Sequence, residues 1–240
     1  VYIRINFIKL KGVKMKPKFK LSYLNYMYLN IINLFYNLKI KYKTDRKNYN
    51  EDEYWTVAKD NGDCEDIALA KMFFFIKHNK KNKFNNENLC IAEVYTENKD
   101  GIPGEGGGHA VLVVNTNKGS LVLDNRYMFV YPIQKARYLW RKMQFNEKWY
   151  TISIPNNTKD YFKYYNNTIF KIIYNFYCFI KYSIVYPRKL KKVHLIKPSS
   201  PPYGYIEFLY QYKSKKLDFK DEYKFWKFVN GDNINNEKTK

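Results

Sequence analysis

Apolar positions recur at three- and four-residue spacing through residues 21–38. Leu24, Met27, Tyr28, Ile31, Leu34, Phe35 and Leu38 share one side of a helical projection. Asn25, Asn30, Asn33 and Asn37 interrupt the run and read as the polar face. The pattern predicts an amphipathic helix packed on a core through its Leu and Phe side. The asparagines argue against a membrane span or a signal segment, and no small-residue cleavage site follows. Residues 39–50 read as a polar connector, with Trp55 expected to anchor the segment that follows. A second helical pattern starts at Cys64 (Ile67, Ala70, Met72, then Phe74 to Ile76) and gives way to the polar residues 78–88.

Beyond residue 88 the period changes to that of strands. Residues 89–95, 110–114 and 121–123 are apolar runs, and Asn115-Thr-Asn-Lys-Gly119 between the last two predicts a hairpin turn. Residues 127–131 and 138–145 are expected to add strands, with 149–154 closing this part of the sheet. The stretch 96–108 holds Gly101, Gly104, Gly106, Gly107 and Gly108 and reads as a mobile loop. Helices first and an antiparallel sheet after is an α+β layout.

From residue 155 the chain is basic and aromatic. Residues 168–186 are apolar but broken by Lys171, Asn175 and Lys181, which suits a membrane span poorly. They predict a helix that covers the sheet or lies at a membrane interface, with Pro187-Arg-Lys-Leu-Lys-Lys192 able to touch anionic lipid. Residues 198–202 read as a stiff linker, 205–212 as a strand, 220–229 as a short aromatic helix and 230–240 as a disordered end. The expected organisation is a basic segment at 1–20, one domain at 21–154 and a basic aromatic extension at 155–240.

Charge changes this picture in two ways. Lys and Arg total 43 against 22 Asp and Glu, a balance of +21 that favours anionic partners. Nucleic acid is not favoured among them, since no zinc spacing, Gly-rich phosphate loop or RNP-type signature is present. Against this background residues 51–66 form an acidic island, with Glu51, Asp52, Glu53, Asp60, Asp63, Glu65 and Asp66 opposed by Lys59 alone.

Cys64 sits inside the island, at the predicted start of its helix. There, unpaired N–H groups and the helix dipole favour a thiolate. Downstream, His109 enters one strand and Asp124 ends the next. Cysteine on a helix followed by histidine and aspartate on neighbouring strands is an arrangement for thiol catalysis. The flanking acids oppose it, because each like charge at about 4 Å costs roughly 1 kcal/mol in water and up to about 4 near a protein surface. A bound hard cation removes the conflict, and calcium suits several carboxylates on a flexible loop better than zinc does. The alternative is that the acids cap the helix and face water. Cys90 and Cys178 read as small buried hydrophobes, and His78 and His194 as exposed.

The helix with spaced asparagines, Tyr42, Asp45, Asp52, Trp55, Gly62-Asp63-Cys64-Glu65-Asp66, Ala68, Ala70-Lys71, His109-Ala110-Val111-Leu112 and Leu123-Asp124-Asn125 together resemble the bacterial transglutaminase-like cysteine proteinases, the LapG-type periplasmic proteases. The resemblance implies a papain/transglutaminase-like fold and an endopeptidase with Cys64 as nucleophile, His109 as base and acid, and Asp124 orienting the imidazole. It implies calcium beside the cysteine, with Asp63, Glu65 and Asp66 at the family's calcium site. It also implies a surface adhesin as substrate, an inhibitory membrane receptor as partner and a periplasmic location. Two other readings stand beside it: a catalytically silent module that binds peptide or protein in the same groove, and an amide transferase or deamidase using the same three residues.

Overall fold

The computed structural model describes residues 19–78, 84, 88–98, 102–146, 148–154, 168–184 and 190–202. Helix α1 (Tyr23–Lys39) is capped by the Ser22 hydroxyl, which accepts from the Asn25 N–H. It leads into two short parallel strands, β1 (Lys41–Tyr42) and β2 (Asn61–Gly62), with the one-turn helix α2 (Asp45–Asn48) between them. Helix α3 (Cys64–Lys77) follows. The strands are β3 (Leu89–Glu97), β4 (Pro103–Asn115), β5 (Ser120–Leu123), β6 (Tyr131–Pro132), β7 (Leu139–Phe145) and β8 (Lys148–Ser153). Helix α4 (Thr168–Ile184) and strand β9 (His194–Ser199) complete the described chain.

Seven strands form one antiparallel sheet in the order β6-β5-β4-β3-β7-β8-β9. The central runs are apolar at successive positions because both faces are buried. Ile91, Leu112, Val114 and Leu123 pack on one side with Leu29 of α1 and Leu69, Met72 and Phe75 of α3. Cys90, Val111, Val113 and Val122 pack on the other with Phe129, Tyr131 and Cys178 of α4. This is the expected α+β, transglutaminase-like arrangement. Elements downstream of residue 154 share it: β9 pairs with β8, so the sheet edge lies beyond residues 149–154. Cys90 and Cys178 are buried and in no disulfide, while His78 and His194 are exposed.

The structure corrects four expectations. Helix α1 is turned over: its buried residues are Tyr26, Leu29, Asn30, Ile32 and Asn33, while Leu24, Ile31, Phe35 and Leu38 are exposed. The asparagines face inward because they satisfy the backbone of residues 124–130. Asn30 Oδ1 accepts from the Val130 N–H (2.8 Å), Asn33 Nδ2 donates to Tyr127 O (2.9 Å), and Asn37 Nδ2 donates to Asp124 O and Tyr127 O (both 2.8 Å). That segment is the second correction, since strand geometry is confined to Tyr131–Pro132 and side chains take over where ladder bonds are missing. Third, Gly104 to Gly108 belong to β4, where Gly106 lies so close to Thr96 and Glu97 that a Cβ would come within 2.4 Å of the Glu97 carbonyl oxygen. Fourth, Pro198 and Ser199 are part of β9 rather than of a linker. The strand, helix and disordered end expected at 205–212, 220–229 and 230–240 lie outside the described residues.

The inverted face of α1 has a measurable consequence. Asn30→Ala orphans the buried Val130 N–H and is expected to cost about 1–3 kcal/mol in urea unfolding. Leu24→Ala, at an exposed site, is expected to stay within about 0.5 kcal/mol. The reverse ranking would show that the leucine side faces the core.

Candidate active site

Three elements converge on the region between Cys64 and Asp124. Residue 64 opens α3, packed against β4; His109 lies in β4; Asp124 is the first residue after β5. The β4–β5 hairpin closes at Asn115–Gly119, with the Thr116 side chain bonded across it. The register Leu112↔Leu123 brings His109 and Asp124 to one end of the pair.

His109 Nε2 and Asp124 Oδ1 are 2.9 Å apart, with both side chains buried. The same oxygen accepts the Arg126 N–H (2.9 Å), and Oδ2 accepts the hydroxyls of Tyr131 (2.8 Å) and Tyr138 (2.5 Å). Burial alone would raise this carboxyl. The His109 interaction, the Arg126 charge and the Tyr138 hydroxyl outweigh it and hold Asp124 well below the usual carboxylate range. The Tyr138 ring also lies edge-on to the imidazole at 5.7 Å.

Cys64 is half-buried, and the Ala110 backbone N–H, next to His109, favours its thiolate. Its own hydrogen bond runs from Sγ to Glu65 Oε2 at 3.0 Å. Burial first, then the charges of Glu65 and Asp63, push the thiol well above its ordinary value. The helix dipole is outweighed here.

The acids around the sulfur neither cap the helix nor face water. Asp63 occupies the N-cap position of α3 without a side-chain capping bond, and Asp63, Glu65 and Asp66 are all buried. Asp45 joins them from α2, accepting the Tyr54 N–H at 2.6 Å, while Asp66 Oδ1 accepts the Thr56 N–H at 2.8 Å. The remaining oxygens, Asp45 Oδ1, Asp63 Oδ1 and Asp66 Oδ2, have no hydrogen-bond partner among the described residues. Burial is the leading cause that raises all four carboxyls, Asp45 to about 6 and Asp66 to about 8. Gly62 is required beneath them: a Cβ there would fall 2.7 Å from Asp66 Cβ and 2.9 Å from Asp66 Oδ2.

One ligand atom each from Asp45, Asp63 and Asp66 lies within 4.8 Å of the others; the same holds for Asp45, Glu53 and Glu65, and for Asp63, Cys64 and Glu65. Buried, unpartnered carboxylate oxygens at that spacing suit a hard divalent cation. Asp63, Glu65 and Asp66 were singled out by their place beside the cysteine. Glu53 lies in the acidic island without a local mark, and Asp45 is followed by Arg46 and Lys47, so only the fold brings it in.

Sequence spacing also gives no hint of Tyr131 and Tyr138 as partners of Asp124, or of the state of Lys71. Lys71 lies two turns after Cys64, is fully buried, and donates from Nζ to Asn33 Oδ1 at 2.7 Å. Asn33 in turn holds Tyr127 O, so helix α3 is linked through α1 to the segment that carries Asp124. Burial lowers Lys71 to about 7, and the negative charge of Asp124 partly opposes the shift.

A family model described as bacterial transglutaminase-like cysteine proteinase matches residues 10–157 of the chain. A search of curated proteins finds no match.

The Lys71 shift fixes a pH signature. The unfolded chain holds this proton up to about 10.5 and the folded chain only up to about 7. More protons are bound unfolded in that window, so this group makes stability rise with pH across it. Lys71→Met is expected to flatten the rise, read as the difference between variant and wild type in urea unfolding at about pH 7 and about pH 9.5. Parallel slopes would mean that Lys71 stays charged in the fold.

Proposed function

The chain belongs to the bacterial transglutaminase-like cysteine proteinases, and on that premise we propose that it is an endopeptidase whose triad is Cys64, His109 and Asp124, with a calcium ion beside the nucleophile. The observation that carries the reading is the buried His109–Asp124 pair at 2.9 Å, with His109 on the strand against which the Cys64 helix packs.

Asp124, held ionised, accepts the Nε2–H of His109 and so fixes the tautomer, which leaves Nδ1 as the base. Nδ1 takes the Cys64 proton, and the sulfur attacks the substrate carbonyl carbon. The Cys64 backbone N–H, at the head of α3, donates to the developing oxyanion. Collapse breaks the C–N bond. His109 returns the proton to the leaving amine, and a thioester remains on Cys64. Water, deprotonated by His109, then releases the acid and regenerates the thiol. The substrate is a protein, and the resemblance points to an adhesin of the cell surface.

Asp45, Asp63 and Asp66 would hold the calcium through oxygen atoms that the fold leaves unsatisfied, with Glu53 and Glu65 close enough to join them. What the ion supplies when bound is positive charge among carboxylates that otherwise oppose the thiolate. Glu65 is the residue at which these demands meet, since it both belongs to the cluster and accepts the Cys64 S–H.

Two experiments test this reading. Cys64→Ala is expected to lower peptide hydrolysis by at least about 1000-fold with little change in substrate binding; retained turnover would remove Cys64 from the mechanism. The carboxyl shifts give the second. Between 3.8 and about 8 the folded, metal-free chain binds more protons than the unfolded one through Asp66, and Asp45 adds to this up to about 6. Stability from these groups is therefore complete at low pH and lost as pH rises through that window. Calcium is expected to raise the melting temperature much more at about pH 8 than at about pH 5. An equal effect at both would argue against a carboxylate site.

A further inference from the structure

Helix α4 presents its apolar side outward. Asn175 and Cys178 are buried, Cys178 in the core of the second sheet face, and Asn175 Oδ1 accepts the Met128 N–H at 3.4 Å. On the opposite side Ile169, Ile172, Ile173, Phe176, Tyr177 and Ile180 are 44–67 % exposed. These six fill an arc of roughly 140° on a helical projection. Lys181 lies at its border, with Nζ 5.5 Å from the Tyr177 ring. Adjacent α1 adds its own exposed row, Leu24, Ile31, Phe35 and Leu38. Contiguous large apolar side chains in water are unfavourable and mark a surface that meets something else.

Charge selects the occupant. Between Asp160 and Glu207 the sequence carries eight Lys and Arg and no acidic residue, within a chain of net charge +21. A second copy set on this face would bring two strongly basic surfaces together. An anionic bilayer meets both requirements, with lipid tails for the isoleucines and Phe176 and headgroups for the flanking lysines and Tyr177. Among the described residues no helix is long and apolar enough to cross a membrane. Contact would therefore be in the plane of the interface.

We infer that the outward face of α4 is a peripheral membrane-docking surface specific for anionic phospholipid, which would hold the proteinase against the bilayer. The inference rests on α4 and its charge and not on the assignment of the triad.

The test is co-sedimentation of the full chain with phosphatidylcholine vesicles, with and without phosphatidylglycerol, at low and high salt. Wild type is expected to bind the mixed vesicles, to release as salt rises, and to leave pure phosphatidylcholine largely unbound. The double variant Ile173→Glu/Phe176→Glu replaces two exposed side chains and should keep its circular dichroism and melting temperature. Its partition onto the mixed vesicles is expected to fall at least about tenfold. No binding by wild type, or equal binding by the double variant, would overturn the inference. So would a wild-type dimer that the double variant dissolves while vesicles leave it intact, since the face would then belong to a second copy. A large loss of melting temperature in the variant would overturn it too, by showing that the face is covered within the chain.

Discussion

An ionised carboxylate in a protein interior costs several kcal/mol unless its lone pairs are met by donors, and Asp124 is fully buried. Its two oxygens receive the His109 ring, the Arg126 N–H and the hydroxyls of Tyr131 and Tyr138. Much of the architecture supplies those donors. The β4–β5 hairpin sets His109 beside Asp124, and the irregular segment after β5 curls so that Arg126 and Tyr131 point back. Helix α1 uses Asn30, Asn33 and Asn37 to hold that segment where a sheet ladder does not.

At the head of α3 the opposite condition holds. Asp45, Asp63 and Asp66 are buried as well, yet each keeps an oxygen with no donor among the described residues. Asp124 is held below the ordinary carboxylate range and these groups are pushed above it. Burial raises every one of them; the difference lies in the donors and in the neighbouring charge, which is positive at Asp124 and negative within the cluster. A satisfied carboxylate can orient a base. An unsatisfied cluster calls for positive charge, and Cys64 stands between the two kinds of site.

The sheet imposes a second demand. Both of its faces are apolar, so each needs a cover. Helices α1 and α3 cover the face nearest the cysteine, and α4 with the segment after β5 covers the other. Asn175 and Cys178 occupy the inward side of α4 with Tyr174 and Phe179 partly buried beside them, and the isoleucines, Phe176 and Tyr177 are left on the outside. The cover of the core thus becomes an apolar surface of its own.

Local chemistry could be read from the chain directly. The helix that starts at Cys64, the Asn115–Gly119 turn and the flanking strands of the hairpin follow from apolar spacing and turn residues, which act over a few positions. The sequence order Cys64, His109, Asp124 and the acids beside the cysteine were legible for the same reason. Periodicity misjudged α1 because it ranks side chains by hydrophobicity alone. Asn30 and Asn33 are buried through hydrogen bonds to residues about 100 positions away, a benefit no local window contains. The glycines before His109 read locally as a flexible loop, yet pairing with β3 makes them strand, and at Gly106 the missing Cβ allows the close approach to Thr96 and Glu97. Tyr131 and Tyr138 carry no mark in the sequence, and for Asp45, Glu53 and Lys71 the motif and the acidic island give no role. Their roles come from burial and from partners set by tertiary packing, and only the fold could decide both.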